Sequence, residues 1–221
     1  MGVWVVGVGP GDPEYVPVKT RRLIHEADVV AGFGAALAVV KPWLSAQIIT
    51  IDYRNQEDTL KQVGELAASG RRCVICCYGD PNFSDKEFLS RIRSVCGPVS
   101  VIPGISSVQV ACATLGVAME EALFLTFHKR GDIDGDKAEL LNWALNGSRS
   151  VLLLPRPWDF MPAQIARYLV DGGVPGSAHV AVLEGLTLDM ERVRNFTLDD
   201  LSAIAEQFSD LSIMVLLKPG E

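Results

Sequence analysis

The chain has 221 residues, of which 48% are hydrophobic and 21% charged, with a formal net charge of -7. That is an ordinary globular composition, long enough for one large domain or two small ones. The acidic balance argues against non-specific nucleic-acid binding and a basic membrane-surface patch, and no apolar run approaches the roughly 18–20 residues of a membrane span.

The amino terminus passes straight into strand-type sequence, without the basic start, apolar core and cleavage site of an export signal, which predicts a cytosolic protein. Residues 3–8 read as a buried first strand and lead into a loop containing Gly7, Gly9 and Gly11. Pro10, Pro13 and Pro17 keep the chain extended or turning until about Val18, because proline fixes φ and lacks an N–H. A helix is predicted from there to about Asp28, with Leu23, Ile24 and Ala27 on one face. Residues 28–31 and 47–51 read as the next two strands. Leu60, Val63, Leu66 and Ala67 give residues 57–69 helical spacing, which stops at Gly70, a residue suited to a left-handed helix exit. Residues 72–78 are apolar enough for a central strand. Ser84-Asp-Lys-Glu87 matches a capping box for a helix through Val95. Residues 99–102 are a fifth strand, and 105–115 a helix rich in small residues.

Around Gly116 the pattern resets. Residues 122–127 open a second set of strands, followed by a glycine- and aspartate-rich loop over 131–136 and a helix to about Leu145. Residues 150–154 read as a strand and 162–171 as a helix. Three short strands, over 179–185, 192–196 and 211–217, predict a mixed or antiparallel sheet at the end of the chain. The expected architecture is α/β, with two domains, 1–117 and 118–221. A cleft between two such domains is a frequent ligand site.

Three tight loops carry the functional signal: Gly7 to Pro13, then Tyr78-Gly79-Asp80-Pro81, then Pro103-Gly104-Ile105-Ser106-Ser107. Each follows an apolar strand and precedes a helical pattern, as in an open α/β sheet whose strand ends converge on a ligand. The first loop looks like a dinucleotide fingerprint but has Asp12 where the third glycine belongs, and no helix starts directly after it. A nicotinamide or flavin enzyme is therefore disfavoured. A nucleoside triphosphatase is disfavoured further, since no Gly-Lys-Ser/Thr follows any of the loops.

The five cysteines fall at 73, 76, 77, 96 and 112. Cys73-Val-Ile-Cys76 has redox or zinc spacing, but on a strand residues three apart point to opposite faces and cannot converge. With no second Cys/His pair at ligand spacing, the cysteines are expected in the core and no protein metal site is expected.

With these loops placed, the chain resembles the tetrapyrrole (corrin/porphyrin) methylases over essentially its whole length. The resemblance rests on Val6-Gly-Val-Gly-Pro-Gly-Asp-Pro13 with Val18-Lys19, on Ala27-Asp-Val-Val30, on Tyr78-Gly-Asp-Pro81 and on Ile102-Pro-Gly-Ile-Ser-Ser107. Within the family it looks most like the precorrin-6Y/cobalt-precorrin-7 C5-methyltransferase branch. The residues pointing there are Gly79-Asp-Pro-Asn-Phe-Ser84, Phe127-His128, Pro162-Ala-Gln-Ile-Ala166 and Phe208-Ser-Asp-Leu-Ser212. It departs from the branch at His128-Lys-Arg130, where His-Gly-Arg is frequent. Some relatives fuse a second methyltransferase and decarboxylase domain, which here is expected to be a separate C15-methyltransferase/decarboxylase partner.

The resemblance implies the class III S-adenosylmethionine methyltransferase fold, S-adenosylmethionine as cofactor, a tetrapyrrole as substrate, methylation at C5, and a homodimer. It also implies site residues. Pro10, Gly79, Asp80, Phe83, Ser106 and Ser107 would line the cofactor site in the first domain, and Leu154, Pro155, Glu184 and Leu186 would touch it from the second. Other readings stay open for two of these: Asp80 forming only an Asx-type turn, and Ser106 capping a helix. A carboxylate-rich corrinoid calls for cations near an apolar slot, and Lys19, His128, Arg130 and Arg156 lie at loop or strand ends where they could serve. His128 could bind substrate, take the proton displaced at the methylated carbon, or be an ordinary core histidine. The alternatives at the level of function are a uroporphyrinogen III methylase, a diphthine-forming methylase, and a non-catalytic S-adenosylmethionine-binding module.

Overall fold

A computed structural model describes residues 2–83 and 86–218. The chain divides into two compact units, Met1–Ser107 and Val108–Glu221. The division falls at the start of a helix, α5 (Ser107–Leu115), ten residues before the boundary expected from the change of pattern near Gly116.

The first unit is built on a five-stranded, all-parallel sheet. Its strands are β1 (Val3–Gly7), β2 (Val29–Phe33), β3 (Gln47–Ile51), β4 (Cys73–Cys77) and β5 (Val99–Ile102), in the order β3-β2-β4-β1-β5. A parallel sheet covered on both faces needs strands that are apolar throughout. β4, third of the five, is buried at every position, whereas Gln47, Ile48 and Thr50 on the edge strand β3 are exposed. Alternation along the strands sorts the core into two layers. Val3, Val5, Cys73 and Ile75 pack with α3 (Gln56–Ala68) and α4 (Lys86–Cys96). Val6, Val74 and Cys76 pack with α1 (Val18–His25) and α2 (Gly34–Val40) on the other face. Cys73 and Cys76 thus face opposite ways, and burial pushes the Cys76 thiol up to about 12, leaving no thiolate for redox or metal chemistry at neutral pH. Among the described residues no group of three or more His, Cys, Asp or Glu could hold a metal ion.

Sequence periodicity did not reveal α2. Gly34–Val40 is apolar nearly all round, so it carries no 3.6-residue pattern; burial of Ala36, Leu37, Val39 and Val40 against the sheet makes it a helix. The Ser84 capping box lies outside the described residues.

The second unit has a mixed sheet in the order β6-β7-β10-β8-β9. Its strands are β6 (Ala122–Thr126), β7 (Ser150–Leu154), β8 (His179–Glu184), β9 (Arg192–Thr197) and β10 (Ser212–Leu216). β6 and β7 are parallel and the remaining pairs antiparallel. Phe127, Leu140, Leu153, Ile165, Leu169 and Met214 anchor its core, to which α6 (Asp134–Asn146) and α7 (Pro162–Asp171) contribute. α6 starts inside the stretch expected to be loop, with Asp134 and Asp136 in its first turn, where the amide ends favour negative charge. A short helix, α8 (Leu198–Ala203), is too brief for periodicity to predict, although Thr197 marks it: its hydroxyl accepts the Asp200 N–H at 3.1 Å. Among the described residues no helix is long and apolar enough to cross a membrane.

Candidate functional site

In the first unit β1 and β4 are neighbours, but the chain leaves β1 by way of α1 on one face and β4 by way of α4 on the other. This is a topological switch point, where a crevice opens beyond the carboxyl ends of the strands. The predicted loops meet there. Gly9 and Gly79 form a two-bond bridge (Gly79 N–H to the Gly9 carbonyl at 2.8 Å, Gly9 N–H to that of Gly79 at 3.2 Å). The Tyr78 hydroxyl donates to the carbonyl of Pro10, which is itself buried. The loop after β5 enters by contact of bare backbone: a Cβ on Gly7 would lie 2.4 Å from the Gly104 nitrogen, and one on Gly104 would lie 2.2 Å from the Gly79 oxygen. Beneath them the buried Thr20 hydroxyl donates to the Gly7 carbonyl at 3.3 Å.

Gly79 has a different reason to be glycine. Its φ is +65°, and a Cβ there would meet only the Ser106 Cα at 3.9 Å, so the restriction is conformational rather than steric. Asp80 makes the Asx turn foreseen as its alternative role, accepting the Asn82 N–H at 2.7 Å and the Asn82 side-chain amide at 2.9 Å through Oδ1. Phe83 N–H donates to the Asp80 carbonyl at 3.0 Å and closes the loop. Ser106 is buried immediately before α5, and Ser107 begins that helix. The strand-end loops offer main-chain groups, hydroxyls and the carboxylates of Asp12 and Asp80, with no lysine or arginine in 8–13, 78–83 or 103–106. The Asp12 and Asp80 carboxylates would repel a dinucleotide pyrophosphate; a sulfonium attached to an adenosine and an amino acid fits this set.

In the second unit the expected residues lie at the carboxyl ends of β6, β7 and β8. His128 follows β6 and is exposed at the surface, its ring 6.4 Å from that of Trp158 in an edge-to-face arrangement. Crowding by surrounding protein holds its pKa below the ordinary 6.5, against an opposite pull from Asp210. The ring is therefore mainly neutral at pH 7 and has a nitrogen available to accept a proton. Because the unfolded chain binds that proton more readily, His128 makes no difference to stability above about pH 6.5 and lowers it as the pH falls toward its folded value. An NMR titration of the His128 ring is expected to give a midpoint below 6.5; a midpoint above it would mean the Asp210 interaction dominates.

Arg130 is exposed, and its guanidinium makes no hydrogen bond or ion pair among the described residues. Arg156 is instead buried and engaged. Its Nε and one terminal nitrogen donate to the two Asp159 carboxylate oxygens at 2.5 and 2.8 Å, and its other terminal nitrogen to the Gly131 carbonyl at 2.9 Å. Lys19, in the first unit, lies 6.0 Å from the Trp4 ring centroid. Leu154 is half-buried, and Pro155 and Leu186 are buried. The Glu184 carboxylate accepts from Arg194 at 2.9 Å and from the Ser209 N–H at 2.8 Å. Beside it Thr187 has φ +67°, the one non-glycine in the left-handed region among the described residues. Sequence pattern points to neither Trp158 nor Arg194, because it shows neither how far a loop residue is exposed nor which carboxylate an arginine reaches.

The chain matches the Tetrapyrrole (Corrin/Porphyrin) Methylases over residues 2–202. It belongs to that family. Tetrapyrrole methylases use S-adenosylmethionine, and the chain is accordingly a methyltransferase dependent on it. It is 29% identical to the probable cobalt-precorrin-7 C(5)-methyltransferase of Methanocaldococcus jannaschii, with 96% of each chain covered. Its fold is similar to that of the precorrin-6Y methylase of cobalamin biosynthesis from Archaeoglobus fulgidus, with 24% identity, a TM-score of 0.72 and 98% of each chain covered. It is similar too to the uroporphyrin-III C-methyl transferase from Thermus thermophilus complexed with S-adenyl homocysteine, at 20% identity and a TM-score of 0.77, covering 98% of this chain and 97% of that one.

Proposed function

We propose that this tetrapyrrole methylase methylates C5 of a corrin precursor, cobalt-precorrin-7 or precorrin-6Y. The observation that carries the reading is the near end-to-end match to the Methanocaldococcus jannaschii protein. The strand-end loops of the first unit support it by offering acid and main chain, without a base, to a cationic cofactor. When bound, S-adenosylmethionine supplies a methyl group on a positively charged sulfur, ready for a nucleophilic ring carbon. The protein's own task is then mainly alignment. Gly79 and Pro10 let main chain approach the ligand. Ser106 and Ser107 offer hydroxyls to its amino-acid end. Asp80 orders its loop through Oδ1, and Phe83 closes that loop. In the second unit Arg130 pairs with a peripheral carboxylate, and neutral His128 accepts the proton released from the methylated carbon. The same reading takes the enzyme as a cytosolic homodimer.

Transfer of labelled methyl groups across a panel of tetrapyrroles tests this, together with calorimetric titration of S-adenosylhomocysteine and NAD. We expect saturable S-adenosylhomocysteine binding, no NAD binding, and label at C5 of the corrin precursor alone. Label on uroporphyrinogen III in preference to the corrinoid would overturn the assignment of substrate but leave the family intact.

A further inference from the structure

We infer that Trp158 contacts the substrate, its indole face stacking on the tetrapyrrole macrocycle while the His128 ring, inclined at 66° to it, stands at the edge of that face. The inference rests on the proposed tetrapyrrole substrate and adds a residue that neither the motifs nor the family resemblance pointed to.

Trp158 is 59% exposed, whereas Trp4, Trp43 and Trp143 are all half-buried. Its indole N–H makes no hydrogen bond among the described residues. An exposed tryptophan on a floppy loop would mean little, but this one sits on a braced turn. Arg156 and Phe160 exchange backbone hydrogen bonds at 3.1 and 3.0 Å, closing the turn that carries Trp158. Inside the turn the buried Arg156 grips Asp159 with two bonds, and its guanidinium carbon lies over the Trp158 ring, 5.6 Å from the centroid. The same guanidinium binds the Gly131 carbonyl and so ties this turn to the segment carrying His128 and Arg130. One buried cation therefore holds the tryptophan and the segment bearing the two expected substrate residues in fixed relation. Arg156 is a positioning residue, and its charge is spent inside the protein.

The chemistry fits a flat, conjugated ligand with carboxylates around its edge. An indole offers a large rigid face whose ordering cost on binding is low, because the turn is already fixed. Arg130 and the exposed indole N–H supply donors for the rim.

The test compares the full-length wild type with Trp158→Ala and Trp158→Phe. We expect Trp158→Ala to raise the KM for the tetrapyrrole about tenfold, the equivalent of one aromatic stacking contact, with S-adenosylhomocysteine affinity unchanged by calorimetry. Trp158→Phe should recover most of that loss. Tetrapyrrole binding should quench tryptophan emission in the wild type and much less in Trp158→Phe, a readout that survives if the alanine variant folds poorly. Wild-type turnover with an unchanged KM in Trp158→Ala would overturn this inference alone. A changed oligomeric mass in Trp158→Ala with normal KM would also overturn it, by assigning the residue to self-association. A wild type that methylates no tetrapyrrole would overturn the functional reading first.

Discussion

Gly104→Ala is expected to lower stability by about 3 kcal/mol, at the upper end of what overpacking usually costs, and to abolish S-adenosylhomocysteine binding with it. The new methyl would lie 2.2 Å from the Gly79 oxygen and 2.8 Å from the Cα and carbonyl carbon of Gly7. All of these are backbone atoms, so no side chain can rotate away, and relief has to come from moving the loop after β4. That movement breaks the Gly9–Gly79 bridge that joins the loops. For a chain of this size the loss corresponds to a drop in Tm of about 6–12 °C. Gly135→Ala is the control. Gly135 lies within α6, nothing stands within 4 Å of the added carbon, and alanine should stabilise that helix by up to about 1 kcal/mol. Differential scanning calorimetry with and without ligand separates the two. A Gly104→Ala protein with normal Tm and normal ligand affinity would show that the loops do not meet as described.

Glu184→Ala is expected to cost about 2 kcal/mol in urea denaturation, as leaving hydrogen-bond donors without their buried acceptor does. The Glu184 side chain is 10% exposed and accepts from Arg194 and the Ser209 N–H. Arg194 is already under-satisfied: its Nε is buried without a hydrogen-bond partner, while the guanidinium stacks 4.9 Å from the Phe208 ring centroid and also pairs with the more exposed Glu206. Removing the carboxylate leaves the half-buried Arg194 guanidinium with only that rim partner and deprives the Ser209 N–H of its acceptor. Family resemblance suggested Glu184 as a cofactor residue, and the same variant distinguishes the two roles. If the carboxylate serves the fold, ligand affinity in the folded variant stays near the wild-type value. If affinity falls about tenfold or more while stability is unchanged, the carboxylate binds ligand instead.

What could be read from the amino-acid order was whatever depends on local sequence. Strand runs such as Cys73–Cys77, helix faces such as that of Gln56–Ala68, and punctuation by Pro17 and Gly70 are short-range effects of burial and allowed φ, and the structure has them within a residue or two. The glycine-acid-proline loops were legible for the same reason, because a glycine forced to φ +65° or pressed against another backbone leaves its mark in the chain itself. Sheet order was not legible: that β1 lies between β4 and β5, making the switch point, depends on pairings between residues about 70 to 100 positions apart. Nor was the fate of the charges. Arg130 and Arg156 look alike in the sequence, but one is exposed and unpaired among the described residues, and the other is buried in a fork with Asp159 and Gly131. A charged side chain long enough to reach several partners is placed by whichever of them the fold brings near, and only the tertiary structure decides that.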